Sequence, residues 1–428
     1  MRQINIAIVG LGQIGNYLYN ELIAKKKDIE IKTGKKIQIV AISAKNKNKK
    51  RKFKINKKIF YKNPLDIIKH KKVDVLIEAI GFADGLSKKI VENALKNKIH
   101  VITPNKALIS KHGDYLSFLA EKNKVNLEFE AAVAGGIPIV RTIKEGLATN
   151  KIKKVYGILN GTCNYILSEM MYSKKSFKDV LTKAQKLGYA EPGNPKLDLN
   201  GYDALSKIKI LSSLSFNKKL SKKNCLMEGI ENIELKDIEI ANQLNYRIKL
   251  IGISELINGT LFERVHPCLI KKENYIANVN GVMNAVIIEG NPVGESILQG
   301  EGAGPGPTSS ALMSDLLSIL RGNVKYPFGI PRLKRTNAKI YNYDKYLNSL
   351  YLRFEVKDKP GVLSFITKKL ANKNISVERL IQKPNYKNKT ASIIIITHET
   401  KEIDVKICLN NITKNKNILR SPVLIRLL

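Results

Sequence analysis

The sequence predicts an α/β chain: a doubly wound parallel sheet, then a mixed α+β region, then a ferredoxin-like unit. Three observations carry this. Strand and helix patterns alternate through residues 1–110. A glycine-rich turn follows the first strand. Residues 350–428 read as βαββαβ.

"INIAIVG" (4–10) is an apolar run ended by glycine, as a buried parallel strand requires. "NYLYNELIAKKK" (16–27) follows with helical spacing. "IQIVAIS" (37–43) and "VDVLIEAIG" (73–81) are further strands, "LSKKIVENALKNK" (86–98) a helix and "IHVIT" (99–103) a strand. The middle of the chain, from Glu130 to Gly302, reads as α+β with longer helices. "TNAKIYNYDKYLNS" (336–349) is polar and is expected to be a linker. The tail then gives strand 351–357, helix 361–373, strands 375–382 and 391–398, helix 402–414 and strand 421–428. The expected units are a doubly wound α/β domain over 1–130, completed by about 303–335, and an α+β domain over 131–302. The linker and a C-terminal unit over 350–428 follow.

With 428 residues and 43% apolar content the chain can bury a sizeable core. It carries no apolar run of membrane-spanning length, and its N-terminus passes straight into a strand without a leader-like cleavage site. Cys163, Cys225, Cys268 and Cys408 are far apart and form no CxxC pair, which fits a reducing cytoplasm and excludes a disulfide framework. His70, His100, His112, His266 and His398 are scattered, without metal-ligand spacing. The net charge of +37 has two readings. It can be a compositional bias towards lysine, or a nucleic-acid surface centred on "KNKNKKRKFKINKK" (45–58). Arginine is scarce and no RNA- or DNA-binding motif is present, so no nucleic-acid partner is expected.

"GLGQIG" sets Gly10, Leu11, Gly12, Gln13, Ile14 and Gly15 in GxGxxG spacing. It lies after a strand and opens a helix. The glycines allow a tight turn, close approach of backbone to a pyrophosphate, and tight helix packing. Free N–H groups and the positive end of the helix would face the phosphates. This is a Rossmann-type dinucleotide site. An NAD site usually places an acid at the end of the second strand. Here that strand ends in Ser43 and Lys45, which favours NADP(H) over NAD(H).

"YAEPGNPKLDLNGYDALSKIKI" (189–210) places Glu191, Asp198, Asp203 and Lys207 around a helix start. Asp203 and Lys207 are i,i+4 neighbours. From these residues alone the pair is either an ordinary surface ion pair or a proton-transfer pair.

Six segments in this order resemble the homoserine dehydrogenase family: "GLGQIG", "TPNKALIS" (103–110), "EAAVAGGIPI" (130–139), "GILNGTCNYIL" (157–167), the acid-rich segment 187–207, and "GEGAGPGPTSSALMSDLL" (300–317). The tail resembles an ACT domain through "DKPGVL" (358–363). The resemblance implies reversible NAD(P)H-dependent reduction of L-aspartate 4-semialdehyde to L-homoserine, in threonine, methionine and isoleucine biosynthesis. It implies Lys207 as proton donor, Asp203 as its orienter, and Glu191 and Asp198 as binders of the substrate amino group. Lys106 would stand beside nicotinamide and substrate, Gly161 and Thr162 would border substrate, and Gly302 and Ala303 would approach the cofactor. Glu130, Val133, Gly135 and Ile137 would hold a monovalent cation such as sodium. Asp358, Gly361 and Asn374 would meet an allosteric effector, L-threonine, in a homodimer or homotetramer. Cys163 is expected to make the site thiol-sensitive. Removing residues 346–428 is expected to abolish inhibition and spare turnover. Two other readings stay open here. One is a phosphate-dependent semialdehyde dehydrogenase with a nucleophilic cysteine. The other is a non-catalytic sensor of NADP and amino acids.

Overall fold

The structure, a computed structural model, describes residues 2–46, 56–70, 72–222, 225–322 and 325–428. Residues 47–55, the bulk of the basic segment considered above, lie outside the described residues.

Strands β1 (Gln3–Val9), β2 (Lys36–Ser43), β3 (Phe60–Tyr61), β4 (Val75–Glu78), β5 (His100–Ile102) and β6 (Leu127–Glu128) form one sheet in the order β3-β2-β1-β4-β5-β6. Every pairing is parallel. Helices cover both faces of β1: Ile6, Ala7 and Ile8 have no exposed surface, while Gln3 at its start is exposed. Helix Pro305–Leu320 returns from far along the chain, and its Leu312 and Leu316 join Leu18 and Leu22 in one buried cluster. The expected helix over 16–27 divides. It runs Gln13–Ala24, and a second helix, Lys26–Thr33, starts after Lys25. The lysine run offers no apolar face to continue the first helix, and only Ile29 of the second is buried.

The second sheet contains β7 (Lys151–Ile158), β8 (Leu226–Met227), β9 (Tyr246–Ile257), β10 (Thr260–Lys271), β11 (Met283–Asn291) and β12 (Gly294–Glu301). After β13 (Leu347–Asn348), which pairs with β17 (Thr400–Lys401), the C-terminal unit supplies β14 (Leu350–Lys357), β15 (Val377–Asn385), β16 (Thr390–Thr397) and β18 (Val423–Leu427). With helices Val362–Ala371 and Glu402–Ile412 these give the βαββαβ order, and the unit's strands lie β18-β14-β16-β15. The sheet does not stop at the unit's edge. β18 pairs with β10, Cys268 opposite Arg426 and Leu269 opposite Leu427, so both units share one sheet.

Two buried ion clusters lie across that junction. Arg353 of β14 donates to both oxygens of Asp237 at 2.6 and 2.9 Å, and neither side chain is exposed. Tyr351 donates to the same carboxylate at 3.0 Å. Arg426 of β18 grips Glu402 at 2.7 and 2.6 Å and Glu228 at 2.6 and 2.9 Å. The polar segment 336–349 is laid along β10. Leu261 N donates to Lys339 O at 2.7 Å, Tyr341 N to Leu261 O at 2.8 Å, and Tyr346 stacks on Phe262 with ring centroids 4.4 Å apart.

Candidate active site

The glycine turn has the close packing its spacing predicts. A Cβ on Gly10 would lie 2.4 Å from Ala79 O, and one on Gly15 would lie 1.9 Å from Gly10 O. Gly10 also has φ +99°, which favours glycine. Gly12 faces open space and precedes helix Gln13–Ala24, so its backbone cradle is free for a ligand phosphate. Leu11 is buried as packing, while Gln13 and Ile14 line a cleft of about 600 Å³. Ser43 is buried opposite Val9 at the end of β2, and Lys45 beyond it is exposed.

The same cleft is lined by Lys106, Asn160, Gly161, Thr162, Asp198, Asp203 and Lys207, and by Gly302 and Ala303. Four elements bring these groups together. Lys106 begins helix Lys106–Asn123 just after β5, and Asn105 caps that helix by accepting from Leu108 N at 3.1 Å. Asn160 caps helix Gly161–Ser173 by accepting from Cys163 N at 2.8 Å. Helix Tyr202–Phe216 presents Asp203 and Lys207 one turn apart. The short helix Lys196–Leu199 before it carries Asp198.

Asp203 is the centre. Lys106 Nζ lies 2.7 Å from Oδ1, and Lys207 Nζ lies 2.8 Å from Oδ2. Asn160 Nδ2 donates to Asp203 at 2.9 Å and to Asp198 at 2.8 Å. Burial opposes ionisation of Asp203, but the charges of Lys207 and Lys106 prevail and hold its carboxyl well below the usual range. Burial lowers the Lys207 pKa, and Asp203 only partly offsets it. Asp203 raises that of Lys106. Burial and the neighbouring Asp203 charge raise that of Asp198. Lys207 is nearly enclosed and also donates to Leu159 O at 2.5 Å, whereas the Lys106 side chain is 43% exposed to the cleft. Such a centre can give a proton to an oxygen that gains charge and can hold a cationic amine beside it.

Not every expected residue lies in the cleft wall. Glu191 is exposed outside it, and only its charge reaches Lys106. Thr162 uses its hydroxyl on Tyr189 O at 2.6 Å. Cys163 is fully buried with its thiol on Asp198 O at 3.3 Å, and burial pushes its pKa well up. The expectation of thiol sensitivity is therefore corrected: the helix-start position that places Gly161 at the cleft turns residue 163 inward. Asn160 was missed from sequence. Among the described residues it is the one side chain that hydrogen-bonds both Asp198 and Asp203. Glu301, Pro104, Tyr189 and Val282 also line the cleft.

Around the expected cation segment, Ala134 and Gly135 are left-handed, at φ +52° and +51°. Val133 and Ile137 are buried, and Ile137 O accepts from Ile139 N at 2.8 Å. Both oxygens of Glu130 accept backbone N–H groups, from Val140 and Arg141 at 2.8 Å each. Burial nevertheless raises the Glu130 pKa. Among the described residues no group of three or more His, Cys, Asp or Glu could hold a metal. In the C-terminal unit Asp358, Gly361 and Asn374 are all exposed. Gly361 (φ +85°) precedes helix Val362–Ala371 and Asn374 (φ +53°) follows it, so they sit at its opposite ends.

A glycine cradle at the carboxyl edge of a parallel sheet, facing a lysine–carboxylate centre, defines an NAD(P)-dependent oxidoreductase. Family models for homoserine dehydrogenase match residues 138–317, for its NAD-binding domain residues 10–130, and for the ACT domain residues 350–410. Homoserine dehydrogenase from Neisseria gonorrhoeae is 40% identical, over 95% of this chain and 94% of its own. That from Pseudomonas aeruginosa is 37% identical, over 94% and 93%. The crystal structure of the Thiobacillus denitrificans enzyme superposes with a TM-score of 0.91 at 34% identity, over 100% of this chain and 99% of that one. The chain belongs to the homoserine dehydrogenase family. A hyperthermophilic archaeal member solved in complex with NADPH shares the fold over 76% of this chain and 100% of its own, with a TM-score of 0.64 at 24% identity. Among the described residues no helix is long and apolar enough to cross a membrane.

Proposed function

We propose that the cleft reduces L-aspartate 4-semialdehyde reversibly to L-homoserine, the step that feeds threonine, methionine and isoleucine synthesis. The two ammonium groups converging on Asp203 carry this reading. The bound pyridine nucleotide supplies the hydride. Lys207 gives the proton to the nascent alkoxide, since its lowered pKa makes it the readier acid. Asp203 fixes both lysines. Lys106 shares the charge stabilisation. Asp198 takes the substrate ammonium, and Glu191 joins it from the rim. Gly161 and Thr162 border the substrate; Gly302 and Ala303 border the nucleotide.

NADP(H) is the preferred cofactor in this reading. Ser43 and Lys45 at the end of β2 suit a 2′-phosphate, and the archaeal relative binds NADPH. A sodium ion would be held at Glu130, Val133, Gly135 and Ile137, where both Glu130 oxygens already accept backbone N–H groups. A phosphate-dependent dehydrogenase is disfavoured, because Cys163 is buried with a raised pKa. The threonine reading needs two copies of the chain. Asp358 and Gly361 stand about 15 Å from Asn374 along a ten-residue helix, so one small effector reaches both ends only across a dimer. A cytoplasmic homodimer or homotetramer fits this. The test is NADPH oxidation with aspartate semialdehyde, with and without threonine. Turnover that requires phosphate, or no turnover, sinks the reading.

A further inference from the structure

Phe82 has two features that the fold does not require. Its backbone is left-handed, at φ +69°, a region that bulky side chains avoid. Its ring is 79% exposed. The neighbouring Gly81 and Gly85 are also left-handed, at +85° and +71°, but adopt this conformation freely.

The strained residue is held firmly. Glu78, fully buried, accepts from Ile80 N at 2.8 Å, Ser87 Oγ at 2.6 Å and Thr103 Oγ1 at 2.6 Å. Asn105 Nδ2 donates to Ser87 Oγ at 3.0 Å and to Phe82 O at 2.7 Å. Thus the carbonyl of Phe82 is latched to the residue before Lys106. On the other side, Ala79 and Ile80 run against Gly10.

Position gives the strain a meaning. In the sheet β4 lies between β1 and β5. The glycine cradle follows β1, and Lys106 follows β5. A dinucleotide that rests its pyrophosphate on the cradle and its reactive ring near Lys106 must cross the end of β4, where Phe82 stands. We propose that the Phe82 ring packs against the nicotinamide-ribose half of the bound dinucleotide. Ring-on-ring or ring-on-sugar contact would bury an aromatic that is otherwise exposed to water. Backbone strain of this kind concentrates at ligand-binding positions.

The test compares the parent with Phe82→Gly and Phe82→Asn, both of which tolerate the left-handed backbone. Binding is titrated by fluorescence with NADPH or NADH, whichever the parent prefers, and by calorimetry with the matching adenosine fragment (2′,5′-ADP or ADP). Thermal unfolding is measured without ligand. The glycine and asparagine variants should unfold at the same or a higher temperature. They should bind the full dinucleotide roughly three- to tenfold more weakly and the adenosine fragment unchanged. Phe82→Tyr should retain parental affinity. Unchanged dinucleotide affinity in both ring-less variants overturns the proposal. So does an equal loss for the fragment, which would place the effect outside the nicotinamide half.

Discussion

Lys106 and Lys207 approach opposite oxygens of one carboxylate, that of Asp203, at 2.7 and 2.8 Å. One anion therefore positions two cations from different elements. Their surroundings differ: Lys207 is enclosed and Lys106 faces the cleft.

This asymmetry separates their roles. Lys207→Met should lower kcat by about 10²- to 10⁴-fold, the range for loss of a positioned proton donor. Lys106→Met should lower kcat less and raise KM for the aldehyde more. Steady-state kinetics of both variants at saturating cofactor decides. Near-parental kcat in Lys207→Met would refute its assignment as donor.

Asn160 holds two carboxylates, those of Asp198 and Asp203, on one amide. Asn160→Leu strands Asp198 and Asp203 and removes a helix cap. It should lower kcat/KM for the aldehyde by about 10- to 100-fold, from the cost of unsatisfied buried acceptors. The Kd for the nucleotide should stay parental, because the glycine cradle is untouched. Equal losses in both would mean general unfolding.

The C-terminal unit is not a detachable module. Ending the chain before residue 346 strips β18 from β10 and leaves Asp237 and Glu228 without their arginines. Removing one partner of a buried ion pair costs about 3–5 kcal/mol. Arg353→Met should lower stability in urea by that order, and the truncated chain should lose turnover. This reverses the expectation that truncation spares catalysis. A truncated protein with parental turnover would show that the shared sheet is dispensable.

Lys249 gives a pH signature. Its ammonium is buried among Val279 O at 2.6 Å, Asn164 Oδ1 at 3.0 Å and Asn280 Oδ1 at 3.1 Å. Burial, helped by the Arg247 charge, lowers its pKa from 10.5 to about 7. Between those values the unfolded chain binds a proton that the native chain lacks. Stability therefore rises with pH across that window and is flat in this group below it. Urea melts at pH 7, 8 and 9 should show the difference between parent and Lys249→Met moving in the parent's favour. A constant difference would mean that the amine stays charged.

Much of this was legible before any coordinates. The glycine spacing encodes a backbone shape directly, and the Asp203–Lys207 pair follows from helical geometry. The acid cluster was found because its members lie close in sequence. Asn160 was not, because its two carboxylate partners are 38 and 43 residues away. Exposure of Glu191 and enclosure of Cys163 depend on how a loop and a helix are turned, which residue type does not report. The junction was hidden for the same reason. The β10–β18 pairing and the ion pairs of Arg353 and Arg426 join segments that no local pattern relates, so the polar segment between them read as a plain spacer.

The strand that closes the edge of β10 leaves the ribosome after every other member of its sheet. While it is still being translated, the catalytic half displays open backbone donors and acceptors and two anions awaiting their counter-ions. Two nascent copies in that state can pair with each other in place of themselves. Yield of active enzyme in a cell-free system should thus rise with added chaperone and fall as polysomes crowd.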